Sequence, residues 1–109
     1  MITAQEIQKG KILAEDASMD FFRTKLNGKD QFACGFAWVD VFVDRTNSKQ
    51  AKELIAAGFK KDYKPKCLSM WNPGGLGLQN IDAKEAGADA MATYLQSLGL
   101  KAYAGSRLD

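Results

Sequence analysis

The chain predicts an α+β or α/β fold, a small sheet of three to four strands packed by helices, and three observations carry that prediction. Two segments of helical spacing each open near a capping residue and close on a glycine followed by an apolar residue. Short strand-like runs, "CGFAWVDV", "CLSMW" and "KAYAGS", alternate with those segments. The first 28 residues read as helical, with no strand pattern. One domain of 109 residues is expected, with residues 1–28 as a helical segment and 31–109 as the α/β core.

Taken in order, Thr3 and Glu6 form a capping box, so a helix should begin near residue 4 with Ile7 and Ala14 on one face. Asp and Ser favour caps over helix interiors, so a break is expected between residues 16 and 18. A second short helix, or a bent continuation of the first, then covers "SMDFFRTKLNG", with Met19, Phe22 and Leu26 at helical spacing and Gly28 as its stop. In "QFACGFAWVDVFVD" both alternating sets are apolar. One is Phe32, Cys34, Phe36, Trp38, Asp40 and Phe42; the other is Ala33, Gly35, Ala37, Val39, Val41 and Val43. Apolar residues on both faces predict an interior strand covered on both sides, its small-residue face beneath a helix.

Asn47 or Ser48 should cap a helix to about residue 57, ended by Gly58 and Phe59 in a Schellman motif. A lysine-rich loop follows, then "CLSMW" as a short strand. Asp82 and Glu85 form a second capping box, predicting a helix from about 83 to 98, with Ala86, Gly87, Ala90 and Met91 as a close-packing face. Gly99 and Leu100 repeat the glycine-plus-apolar ending. "KAYAGS" is the last strand, with Arg107, Leu108 and Asp109 trailing it. The expected order is two helices followed by β-α-β-α-β. A fourth strand near "GLGLQ" would instead make a ferredoxin-like split unit.

Composition excludes several functions. The chain has no histidine and two cysteines, which removes His-based acid–base chemistry, His-containing triads and the usual zinc ligand sets. Cys34 and Cys67 read as small apolar residues rather than a disulfide. Cys34, Cys67, Ser69 and Ser106 have no identifiable base, and Asp40 and Asp44 are two pleat repeats apart, so neither catalysis nor a carboxylate metal centre is favoured and no cofactor is expected. No apolar run reaches membrane-spanning length, and the first residues lack a signal peptide's apolar stretch, so a cytoplasmic protein without a membrane partner is expected.

Binding residues are better represented. The loop "WNPGGLGLQN" holds Trp71, Asn72, Gly74, Gly75, Gly77, Gln79 and Asn80 just before a helix, where open α/β sheets bind ligands. Its spacing matches neither the dinucleotide fingerprint nor a P-loop, and a capping carboxylate there would repel an anion. An anion cradle, a protein-contact loop and a structural turn all remain open readings of it. Lys60, Lys61, Lys64 and Lys66 crowd the segment before "CLSMW", either as a solvated loop or as a phosphate-facing patch. Net charge is only +2, too little to imply a nucleic-acid partner by itself.

Trp71, Asn72, Pro73, Gly74, Gln79, Asn80, Asp82, Lys84, Glu85, Ala86 and Gly87, followed by Ala104, Gly105, Ser106, Arg107 and Asp109, form a pattern: WNPxG, then QNxDxKEAG, then AGSRxD. This pattern resembles a group of short proteins encoded by phages and prophages. The resemblance extends loosely back to "CGFAWVDV" and leaves the N-terminal helices unmatched. It implies a phage context and, by association, an accessory factor that binds a host or defence-system protein. On that reading Trp71 is the anchor, and Asn72, Gln79, Asn80, Ser106 and Arg107 converge at one edge. The alternative is a nucleotide or nucleic-acid module using the glycine loop and the lysines. If the N-terminal helices leave Phe36, Trp38 and Phe42 uncovered, an oligomer is the further expectation.

Overall fold

The computed structural model describes residues 1–75, 77 and 79–109. Its elements are α1 (Ala4–Thr24), β1 (Gly35–Phe42), α2 (Lys49–Ala56), β2 (Lys60–Lys61), β3 (Cys67–Trp71), α3 (Ile81–Ser97) and β4 (Lys101–Leu108). The strands form one antiparallel sheet in the order β2-β3-β1-β4. Setting α1 aside, this is β-α-β-β-α-β with β1 and β2 split by β3, the ferredoxin-like alternative. The fourth strand is not at "GLGLQ", of which Leu76 and Leu78 lie outside the described residues; it is the lysine pair of β2, previously read as loop.

The N-terminal segment is one helix of 21 residues rather than two. Tertiary contacts override the local preference for a break. Ser18 is buried, and its hydroxyl donates to the Ala83 carbonyl at 2.8 Å, so it serves as a polar contact between helices instead of a cap. The Thr3–Glu6 capping box starts this helix as the spacing predicted. Ser48 caps α2 through its side chain. Both predicted Schellman endings form: Phe59 N–H donates to Leu54 O, and Leu100 N–H to Leu95 O. The start of α3 differs from expectation. Asn80 is its N-cap, accepting from Ala83 N–H at 2.9 Å, and the helix begins at Ile81.

Helices cover one face of the sheet. Ala37, Val39 and Val41 of β1, Leu68 and Met70 of β3 and Ala102 of β4 form a core with Met91 and Leu95 of α3, Leu54 of α2, and Ile7 and Ala14 of α1. Small residues set the spacing: a Cβ on Gly10 would meet Tyr94 at 3.0 Å, and one on Gly87 would meet Ser18 Oγ at 2.4 Å. The expected small-residue face of β1 thus lies beneath α3. The expected second cover is missing: among the described residues no helix packs on the aromatic face, and the shortest extent of the molecule is only 18 Å. Two layers, not three, make the molecule.

Candidate functional site

Alternation along β1 sends Phe36, Trp38, Asp40 and Phe42 to the open face, and antiparallel pairing fixes their neighbours. Trp38 stands opposite Trp71 and Gly105, Asp40 opposite Ser69 and Tyr103, and Phe36 opposite Arg107. Trp38 and Trp71 stack with centroids 4.7 Å apart, Phe36 meets Trp71 edge-on at 6.1 Å, and Phe42 meets Tyr103 edge-on at 6.0 Å. Gly105 makes this possible. A Cβ there would lie 2.6 Å from the Trp38 indole, so the missing side chain is the space in which that ring lies. Trp71 and Tyr103 remain 49% and 54% exposed. Five aromatic side chains thus share this face on either side of Asp40, and two of them are exposed to solvent.

Cations edge this surface. The Arg107 guanidinium lies 5.5 Å from the Phe36 ring and 5.8 Å from that of Trp71. Lys84 of α3, buried to 9% exposure, donates to Gly35 O at 2.8 Å with its ammonium 5.4 Å from Phe36. Nothing in the residue pattern singles out that lysine beyond its place in QNxDxKEAG. The β3 and β4 strands are not paired, because β1 lies between them. Both nevertheless run antiparallel to β1, so their C-terminal ends share a side and Arg107 reaches Trp71.

At the centre is Asp40. Its Oδ2 accepts from Trp38 Nε1 at 3.3 Å and from the Lys64 ammonium, while its buried Oδ1 has no partner among the described residues. Lys64 also lies 3.8 Å from Asp62. Its hydrogen bond to Asp40 raises the Lys64 pKa above the ordinary 10.5, against the opposing effect of burial. Of the four lysines in the predicted basic patch, this one is thereby neutralised. Asp40, Asp62 and Cys67 have ligand atoms within 4.8 Å of one another. The Lys64 ammonium already supplies the positive charge for the two carboxylates there. Burial, and then the Asp40 carboxylate, push the Cys67 thiol up to about 11, so it stays protonated. Asp44, the other carboxylate considered for a metal, is exposed beyond the end of β1.

The glycine loop is largely committed to structure. Asn72 and Gly75 take positive φ in a turn closed by Gly75 N–H to Asn72 O at 3.0 Å. Gly74 is buried against Ser18, whose Oγ lies 2.1 Å from where a Cβ would be. Asn80 is buried as the α3 cap and donates from Nδ2 to Gln31 O at 2.7 Å. The backbone N–H groups of Gln79 and Asn80 both donate to the carboxylate of Asp30, at 2.8 and 3.0 Å. The chain's own carboxylate fills the anion position. Gly77 is exposed. Ser106 faces the helix layer near Glu85; desolvation, then Asp82 and Asp89, raise the Glu85 pKa, and Ser106 opposes them.

Lys60 and Lys61 line a different feature, a cleft of about 680 Å³ with Lys11, Asp62, Trp71 and Asn72 on its wall. Lys66 is exposed and takes positive φ. Among the described residues no helix is long and apolar enough to cross a membrane. In comparisons with known proteins, no family model, no curated protein and no solved structure matches the chain. Fold and site together define a class: a two-layer α+β protein whose sheet carries an open aromatic face.

Proposed function

We propose that this is a non-enzymatic binding protein of phage type whose working surface is the aromatic face, and that its partner is a host or defence-system protein. The observation that supports this reading is the exposure of Trp71 and Tyr103 on a preorganised cluster with Arg107 beside it. Trp, Tyr and Arg dominate interface energetics: the two aromatics bury a large area with few rotatable bonds, and arginine adds a planar cation with several donors. Stacking against Trp38 orders Trp71 before a partner arrives, which lowers the entropy lost on binding. The glycine loop enters this reading as the support that positions Trp71 rather than as the contact itself.

A second reading is favoured by the cleft of Lys11, Lys60 and Lys61 bordered by Trp71: a nucleotide or single-stranded nucleic acid, its phosphates on the lysines and a base on the indole. Salt separates the two. Immobilised protein should retain a bacterial protein at high salt and lose it in Trp71→Ala and Tyr103→Ala. Binding of short oligonucleotides that falls steeply with salt, and disappears in Lys60→Ala and Lys61→Ala, would transfer the function to the cleft.

A further inference from the structure

The two edges of the sheet are treated differently. The β2 edge is two residues long, both lysines, and Pro65 follows soon after. Short length, charge and proline are the devices by which proteins prevent an edge from pairing with another chain. The β4 edge is less defended: it runs eight residues without proline, and its charges, Lys101 and Arg107, flank an uncharged stretch at 102–106.

The direction of its backbone groups is fixed. Asp109 N–H donates inward to Cys34 O at 3.1 Å, whereas the carbonyl of Ala102 faces away and is met by the Gln96 side chain at 2.7 Å. Since direction alternates along a strand, Ala102, Ala104, Ser106 and Leu108 present their N–H and C=O groups to the free edge. The side chains of Lys101, Tyr103, Gly105, Arg107 and Asp109 share the parity of the aromatic face.

We propose that a second copy of this chain pairs with β4 in antiparallel register about a two-fold axis at Gly105. In that register Ala104 meets Ser106 as a hydrogen-bonded pair, and Ala102 meets Leu108 with the Ala102 carbonyl accepting a second bond beside the one from Gln96. Tyr103 then stands opposite Arg107, a cation–aromatic pair made twice, and Lys101 stands opposite Asp109, an opposite-charge pair made twice. The neighbouring symmetric register, centred on Ala104, sets Lys101 opposite Arg107 and is disfavoured by like charge. Among the described residues neither Lys101 nor Asp109 is held in an ion pair within its own chain. This charge self-complementarity is what selects a second copy over a foreign strand. A like-charge cost comes from Glu85 and Asp89, which border the groove above Ala104 and Ser106 on the helical side of each copy. The dimer has an eight-stranded sheet with one continuous aromatic face.

Sedimentation over a wide concentration range tests this on the full chain. A concentration-dependent dimer is expected. Ala104→Pro removes an outward N–H and leaves the β1 ladder its bonds, so it should give a monomer with unchanged far-UV circular dichroism. Lys101→Asp and Asp109→Lys should each weaken association about three- to ten-fold, and the double variant should recover it. The charge swap decides the matter if the proline variant does not fold. A wild-type chain monomeric throughout would overturn the proposal and leave the edge for another protein's strand. So would a dimer that survives Ala104→Pro, or a double variant no tighter than the singles.

Discussion

At the scale of a residue, Asp40 and Lys64 show how an exposed-looking surface can hide a buried charge. Asp40 sits at 8% exposure in the middle of the aromatic face, with one carboxylate oxygen lacking any partner among the described residues. Removing Lys64 would leave that carboxylate with only the Trp38 indole N–H. Lys64→Met should therefore cost about 1–2 kcal/mol, less than a fully buried pair because the Lys64 side chain is 34% exposed and solvent screens it. Pairing Lys64→Met with Asp40→Leu should return most of that stability, since an apolar pair avoids the desolvation of both charges. The pH dependence has a definite sign. A lysine whose pKa is raised on folding contributes fully below the unfolded value of 10.5 and loses that contribution as pH climbs through the raised one. Urea denaturation of wild type and Lys64→Met should give a stability difference that is flat from neutral pH to pH 9 and shrinks in strong alkali, as it also must in acid once the Asp40 carboxylate is protonated. A difference already shrinking between pH 7 and 9 would show that the ion pair is not its source.

At the scale of elements, the crossing of α1 and α3 rests on Ser18 between Gly74 and Gly87. Alanine at 87 gains helix propensity of about 1 kcal/mol but drives its Cβ into Ser18 Oγ. Gly87→Ala should lower the melting temperature by at least about 5 °C, and Ser18→Ala in that background should recover part of it. No recovery would place the clash elsewhere, at the Ala14 carbonyl 3.0 Å away. The same crossing explains what the sequence could and could not reveal. The Thr3 and Ser48 caps, Schellman endings, "CLSMW" and the two faces of β1 were legible because each follows from local sequence, whereas the α3 cap is Asn80 rather than Asp82. The unbroken α1 was not, because Ser18 is held by Ala83, 65 positions away. Nor was β2, whose two lysines carry no alternation and owe their strand geometry to β3 alone. For the candidate site, Trp71 and Arg107 were recognisable as binding residue types. Their meeting needed the register of β1, and the engagement of the Gln79 and Asn80 backbone needed Asp30, 49 positions before Gln79.

At the scale of the molecule, the two cysteines report on opposite sides of the stability range. Cys34 is exposed at the entry to β1, whereas Cys67 is buried with a thiol pushed up to about 11. Thiolate is the reactive form, so a thiol reagent should label Cys34 at once and Cys67 only as the sheet opens. Mass spectrometry should show one adduct on the native protein and two in urea. Rapid double labelling of native protein would mean that β3 is far more open than its neighbours imply.

The inequality of the two sheet edges has a consequence for assembly. Fibrils grow because every added subunit renews the template it consumed, and renewal requires a sticky end on both flanks. This molecule has one long flank and one two-residue lysine stub. Association through the long flank occupies that flank on each participant, and among the described residues no second long edge remains to propagate it. A pairing surface of this kind can stay open without seeding aggregation.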